Sequence, residues 1–250
     1  MITCKLQGGL GNLMFQIATT YSLALDNNDE CCFNFNNTHF VHQHPSIYLD
    51  NIFSKINTTP EENINNFYTE PNFSYNEIPY QENMCLTGYF QSEKYFKHNK
   101  KNILDLFDLD KCSYDTDILD GDTVSLHIRR GDYLGVQDHH PVCSLDYYKD
   151  ALSEFKDNDY KFIVFSDDTD WCKQNFKEDF LFVENKEPQE DLWLMSKCNH
   201  NIIANSSFSW WGAWLNQNKS KKVIAPKKWF GKALSNYNTN DLYSKEWILK

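Results

Sequence analysis

The residues best suited to do chemistry in this chain are two neighbours, Arg129 and Arg130. They are the only arginines among 24 Lys+Arg in 250 residues, so 22 (24 − 2) of the basic side chains are lysine. A codon bias toward Lys and Asn accounts for scarce arginine, but not for the adjacency of the two. They stand in His127-Ile128-Arg129-Arg130-Gly131-Asp132-Tyr133, at the end of an apolar run. In a strand His127 and Arg129 project to one face and Arg130 to the other. One guanidinium can then face a ligand while its neighbour pairs with a carboxylate such as Asp132. Guanidinium is a planar fork that matches phosphate oxygens and stays charged at any working pH. A diphosphate is the ligand this arrangement fits; a purely structural ion pair is the alternative.

Three further loops have chemistry of their own. Gly8-Gly9-Leu10-Gly11-Asn12 lets a ligand approach the backbone ahead of a helix N-terminus. It is neither a Walker loop nor a G-x-G-x-x-G fingerprint, and a tight turn would read the same way. Phe165-Ser166-Asp167-Asp168 runs a strand into two carboxylates. These can accept hydrogen bonds from a base or ribose, bind a metal, act as a base, or cap the next helix. Asn205-Ser206-Ser207-Phe208-Ser209 opens a helix with hydroxyls and amides, an uncharged cradle for an anion. Trp210, Trp211 and Trp214 behind it read as packing for that helix.

The elements that position these loops follow from periodicity. Strands are expected at residues 3–6, 85–89, 123–128, 162–166, 180–183, 201–204 and 222–225. Helices are expected at 12–25, 93–107, 144–155 (with Ser144 as N-cap), 170–175, 189–198 and 207–216. Residues 27–80, rich in Asn, Pro and Thr, predict few regular elements and a specificity-type surface. The acidic, turn-rich stretch 105–122 reads as a domain boundary. Strands alternating with helices make a parallel α/β sheet, whose ligands bind beyond the carboxyl ends of the strands.

Composition excludes several classes. At 41% hydrophobic and 16% aromatic the chain can bury a large core, so wholesale disorder is out. A net charge of −11 lacks the basic footprint of a nucleic-acid binder. No apolar run is long enough to span a membrane, and the N-terminus has no signal-peptide apolar region. Eight cysteines, scattered and without a C-x-x-C pair, read as reduced thiols of a cytoplasmic protein. Oligomeric state leaves no mark in the sequence.

Taken together and in order, the four loops resemble the α-1,2-fucosyltransferases of glycosyltransferase family eleven. The likeness rests on Gly8-Gly9-Leu10-Gly11-Asn12-Leu13-Met14-Phe15-Gln16, on 127–133, on 165–168 with Trp171, and on 205–213. It departs from the family at Leu13 and Ile17, where Gln and Tyr are usual. The resemblance implies a GT-B-type α/β fold of two Rossmann-like halves, the N-terminal one reduced. An acceptor-side domain would span 1–110 and a GDP-sugar-binding domain 111–250. The implied reaction moves L-fucose from GDP-L-fucose to an acceptor glycan, the 2-OH of a galactoside, with inversion and with no metal or other cofactor. Arg129 would hold the β-phosphate, with His127 beside the nucleotide and Arg130 in the donor site. Asn205, Ser206 and Ser207 would complete the phosphate cradle, Asp167 or Asp168 would face guanine or ribose, and Gly9, Gly11 and Asn12 would lie near diphosphate or fucose. Asp132 is the candidate base.

Two other readings compete. Asp108-Leu109-Asp110, Asp115-Thr116-Asp117 and Asp120-Gly121-Asp122 match the D-x-D spacing of metal-dependent glycosyltransferases using another nucleotide sugar. His42-Gln43-His44 and His139-His140 could also ligate a metal, though no Cys or carboxylate set completes a site. A non-catalytic sugar- or nucleotide-binding module would use the aromatic surplus to stack sugars without turnover.

Overall fold

The structure is a computed structural model describing residues 1–35, 44–58, 63–107, 109, 116–156 and 159–250. It divides into two compact units, residues 1–111 with 237–244 and residues 112–236 with 245–250. Each is an α/β assembly on a parallel sheet, one of three strands and one of six. The expected α/β class, with a reduced N-terminal half, is what the chain adopts.

In the first unit β1 (Ile2–Cys4) leads through the glycine loop into α1 (Leu10–Asp26). Strands β2 (Asn66–Thr69) and β3 (Met84–Thr87) complete a sheet of order β1-β3-β2. Leu10, Met14, Ile17 and Ala18 recur at helical spacing and are all buried. Gln16 closes the loop before this helix, since its Oε1 accepts from Gln7 N–H (2.9 Å) and its Nε2 donates to Gln7 C=O (3.1 Å). Residues 93–107 are not one helix. Phe96 sits at φ −143° between two 3₁₀ turns, and only Lys100–Leu106 is helical (α2). Both Tyr95 and Phe96 are buried at the break. Periodicity also misses β2, an edge strand of Asn-Phe-Tyr-Thr whose Phe67 points to solvent. Residues 237–244 return to this unit through Asp241. Its C=O accepts from Ser92 Oγ (2.6 Å), and its carboxylate accepts from Tyr75 N–H (3.0 Å) and Lys94 (2.5 Å).

The second unit runs β4 (Thr123–Ile128), α3 (Leu145–Ser153), β5 (Lys161–Ser166), α4 (Thr169–Asn175) and β6 (Leu181–Phe182). Then follow α5 (Pro188–Lys197), β7 (His200–Ile202), α6 (Ser207–Leu215), β8 (Val223–Ala225) and β9 (Ile248–Leu249). The sheet order is β6-β5-β4-β7-β8-β9, the doubly wound order that reverses between its first and fourth strands. Here that switch lies between β4 and β7. Every residue of β4 is buried, as a central strand covered on both faces requires. Local signals set the helix starts. Ser144 Oγ accepts from Tyr147 N–H (3.2 Å), and Glu187 with Glu190 forms a capping box ahead of α5. Trp210 and Trp211 are fully buried and Trp214 nearly so. Gly212 lets α6 close on α5, where a Cβ would lie 2.9 Å from Met195 Cβ.

One buried polar network joins these layers. Asn201 Nδ2 donates to Ser125 Oγ (2.7 Å) and Met195 C=O (2.8 Å), and its Oδ1 accepts from Asn216 Nδ2 (2.8 Å). Asn201→Ala orphans three buried partners, so a loss of about 2–4 kcal/mol in urea unfolding is expected. A loss below about 1 kcal/mol would show that the network does not hold the layers together.

Candidate functional site

The switch point gathers the charged residues. β4 pairs with β5 in register through Ile128↔Ser166, so the residues that follow each strand emerge side by side. Arg129 donates from one amino group to Asp167 Oδ2 (3.0 Å) and from the other to Asp132 Oδ1 (2.8 Å). Arg130 donates from Nε to Asp168 Oδ2 (2.9 Å), and its guanidinium carbon lies 3.9 Å from the centre of the Trp171 ring. Asp167 also accepts the Arg130 backbone N–H (2.8 Å). Asp168 Oδ1 accepts from Trp171 N–H (3.3 Å), capping α4. Gly131 leaves room for Asp167 at this crossing, because a Cβ there would meet Asp167 Oδ2 at 2.6 Å and push it off its partners.

Both arginines are therefore paired. Asp132, expected as a partner for the inward neighbour, instead sits on Arg129. Two guanidiniums face three carboxylates, a sum of 2 − 3 = −1. Arg129 is 23% exposed and Asp132 38%, and Asp132 opens a one-turn 3₁₀ segment, Asp132–Gly135. It is the outermost carboxylate of the cluster and the one on the least regular backbone.

Across the switch point, β7 leads to Asn205 and Ser206, and Ser206 is the N-cap residue of α6 without a side-chain cap bond. Asn205 is buried and held by its amide, which donates to Pro141 C=O (2.8 Å) and Trp229 C=O (2.9 Å). Tyr133 spans the two loops, donating its hydroxyl to Asn205 C=O (3.2 Å) while its ring lies 5.5 Å from the Arg129 guanidinium carbon. His127 packs against Phe208 in the first turn of α6. It is 5% exposed, and its Nδ1 is buried without a partner. Burial, reinforced by the Arg129 charge, pushes its pKa down to about 3, so the ring is neutral at working pH.

Gly9, Gly11 and Asn12 lie in the first unit. Gly9 precedes α1 with no side-chain cap, and a Cβ added there would meet nothing within 4 Å. Gly8 adopts φ +86° and abuts Asn12, whose Oδ1 accepts from Gln91 Nε2 (2.8 Å). Gly11 is buried in the first turn of α1.

Of the residues considered for a metal, Asp108, Asp110, Asp115, His42 and Gln43 lie outside the described residues. Among the described residues no group of three or more His, Cys, Asp or Glu side chains is gathered for an ion. His140 instead packs between Tyr133 and Phe230.

Sequence reasoning missed Gln189 and Asp191. Both lie in the first turn of α5, beyond the carboxyl end of β6. Gln189 Oε1 and Asp191 Oδ1 are buried and have no partner. Burial, with Glu190 next to it, pushes the Asp191 pKa up to about 7. Acidic residues in a first turn normally read as compensation of the helix dipole, which is why the sequence signal was indistinct. These are two buried acceptors at one strand end that no protein group satisfies.

The chain matches the profile of glycosyl transferase family 11 over residues 1–250. It is 31% identical to the alpha-1,2-colitosyltransferase of Escherichia coli, covering 99% of this chain and 98% of that protein. It is 32% identical to the O-antigen biosynthesis glycosyltransferase WbnK of Escherichia coli, covering 99% of each. The solved NodZ alpha-1,6-fucosyltransferase soaked with GDP-fucose aligns with a TM-score of 0.49 at 13% identity, over 86% of this chain and 92% of that one.

The neutral His127 has a consequence for stability. The unfolded chain takes a proton on this histidine near pH 6.5, whereas the folded protein takes it only near pH 3. Its contribution is therefore complete above pH 6.5 and lost as pH falls toward about 3. His127→Gln is expected to flatten the unfolding free energy across this window by up to about 1.4 kcal/mol per pH unit. An unchanged slope in urea titrations from pH 7 to 4 would refute the neutral assignment.

Proposed function

The chain belongs to glycosyl transferase family 11, and on that premise we propose that it transfers L-fucose from GDP-L-fucose to the 2-OH of a galactoside, with inversion at the anomeric carbon. The observation that carries this reading is Arg129, fixed at the end of the central strand opposite the N-terminus of α6. The second unit binds the donor, and the acceptor side is residues 1–110. Among the described residues no helix is long and apolar enough to cross a membrane. We place the reaction in the cytoplasm, where thiols such as Cys172 and Cys198 stay reduced.

Breaking the fucose–phosphate bond leaves negative charge on the β-phosphate and oxocarbenium character on the sugar. A guanidinium held by carboxylates and amides at a helix end stabilise that charge without reorganising as it grows. This reading uses no metal. The apo cluster carries −1, so an incoming diphosphate must displace a carboxylate. Asp132 is the one that yields, because it is the more exposed partner of Arg129 and sits on a short turn. Asp167 stays, locked by the Arg130 backbone N–H. Donor binding thus frees Asp132 to take the proton from the acceptor hydroxyl, the role of a general base. Arg130, stacked on Trp171 and tied to Asp168, positions the wall behind Arg129. Ser206 and Ser207 supply hydroxyls and amides to the phosphates, and Asn205 fixes their loop.

Guanine presents an N–H and an adjacent NH₂ on one edge, and a single carboxylate accepts from both. Asp191, with Gln189 beside it, fits that edge better than Asp167 or Asp168, whose oxygens are engaged by the arginines. His127 then lines the nucleotide as a neutral ring.

Arg129→Lys keeps the charge and loses the fork. In correctly folded protein it is expected to lower kcat by about 10²–10³, the size seen for a preorganised donor to a developing anion. GDP release from GDP-L-fucose with a galactoside measures this, and near-normal turnover would sink the assignment. For Asp191 the ionised form binds the base, so GDP affinity is expected to weaken as pH falls below about 7. Asp191→Asn should bind GDP more weakly throughout and lose that pH dependence. Calorimetry showing the same profile in both proteins would remove Asp191 from the site.

A further inference from the structure

The first unit carries a second group of chemistry-bearing residues, beyond the carboxyl ends of β2 and β3. This is the sheet edge that also bears the Gly8-to-Asn12 loop, and the Gln91–Asn12 hydrogen bond joins the two. The chain makes a tight corner at residues 88–90. Glu70 Oε2 accepts the backbone N–H of Tyr89 (2.8 Å) and of Phe90 (3.1 Å). Gly88 has no space for a side chain, since a Cβ would lie 2.5 Å from Glu70 Cβ and 2.7 Å from Oε2. Phe90 adopts φ +51°, a conformation rare for a bulky residue and one that persists only where its surroundings impose it. Its ring is fully buried against Tyr68 and Tyr95.

The strained corner sends Phe90 inward and leaves Tyr89 39% exposed. Tyr237, in the segment that returns to this unit, is 46% exposed, its ring stacked on Phe73 at 5.5 Å and 11°. The proximity of the two phenols adds to burial in raising the Tyr89 pKa. Tyr75, 38% exposed, packs on Tyr95 at 4.9 Å and is pinned by its N–H to Asp241. Three partly exposed tyrosines are thus held at one edge, on backbone fixed by Glu70 and Asp241. Held on backbone tied by these carboxylates, Tyr75 and Tyr89 are fixed before any ligand arrives.

We propose that this edge is the acceptor platform, with Tyr89 and Tyr237 taking the C–H face of the acceptor sugar ring and Gln91 reading one of its hydroxyls. The proposal rests on the glycosyl-transfer reading above and deepens it. A pyranose has an apolar face and a polar rim, and tyrosine offers the same division. The charges here are engaged with protein partners, Glu70 with two N–H groups and Asp241 with Lys94 and Tyr75 N–H. The occupant this surface suits is therefore a neutral sugar, such as a galactoside, and not an anionic one. Gln91 Oε1 is buried without a protein partner, an acceptor that a sugar hydroxyl satisfies. Fixing the rings beforehand spares ordering entropy on binding.

Steady-state kinetics with a galactoside acceptor, on Tyr89→Ala, Tyr237→Ala and the corresponding Phe variants, tests the proposal. The Ala variants are expected to raise the acceptor KM at least about 10-fold, a typical worth for a lost aromatic contact, while the Phe variants stay within about 3-fold. GDP affinity by calorimetry should be unchanged in all four. An unchanged acceptor KM in both Ala variants overturns the platform. So does a change of oligomeric state in light scattering with acceptor KM intact, which would make the edge a contact between copies. Should the wild-type protein release no GDP from GDP-L-fucose, the transfer reading fails by itself. The platform is then judged by galactoside binding in ligand-observed NMR, where wild-type binding lost in Tyr89→Ala supports it and equal signals overturn it.

Discussion

The ion-pair cluster across β4 and β5 is the constraint on which the second unit depends. Because Ile128 and Ser166 are register partners, two arginines and two aspartates leave the sheet side by side, and their charges must be matched there. Gly131 is small because Asp167 occupies the space a Cβ would need. Asp168 serves twice, bonding Arg130 and capping α4, so the start of that helix and the orientation of the arginine are one feature. Trp171 in the first turn of α4 then closes over Arg130. Pairs of this kind add little net stability when they remain partly exposed. What they supply is direction: a guanidinium that cannot rotate away from its place at the strand end.

The excess carboxylate in that cluster links resting structure to reaction. A guanidinium left bare beside the other arginine would repel its neighbour and collect adventitious anions. With Asp132 and Asp167 on it the resting cluster is electrostatically settled, and in the proposed reaction the diphosphate takes the place of Asp132. The same economy explains the neutral donors around it. His127 is uncharged through burial, and Asn205, Ser206 and the start of α6 bring dipoles without ions. Buried polar atoms left without partners, at His127, Gln189 and Asp191, are costly in a folded protein. They stand around the carboxyl ends of the sheet strands, where ligands of doubly wound sheets bind.

The first unit solves a different problem. Its sheet has three strands and its helix α1 is buried along most of one side, which leaves a small core. The sheet edge beyond β2 and β3 is stiffened not by secondary structure but by two carboxylates, Glu70 holding two backbone N–H groups and Asp241 holding one. Irregular backbone held this way keeps side chains in defined places without a helix or strand to carry them.

The local pattern of this chain was legible from its residues. The 3.6-residue spacing of Met14, Ala18, Tyr21 and Leu25, the apolar run of β4, and Ser144 as a cap all rest on neighbours a few positions apart, although Leu25 at the end of that stripe is 37% exposed. So did the strand-end positions of Arg129, Asp167 and Ser206. Phe96 shows where such reasoning stops, because a spacing that reads as one helix is interrupted there by non-helical backbone that local periodicity does not reveal. Asp191 was overlooked for a related reason, since its orphaned oxygen depends on burial by elements distant in sequence. Only the tertiary structure decided which carboxylate meets which arginine, because strand register is set by pairing across 37 positions (167 − 130). Spacing along the chain determined which residues could reach a strand end. Pairing between strands determined what each would find there.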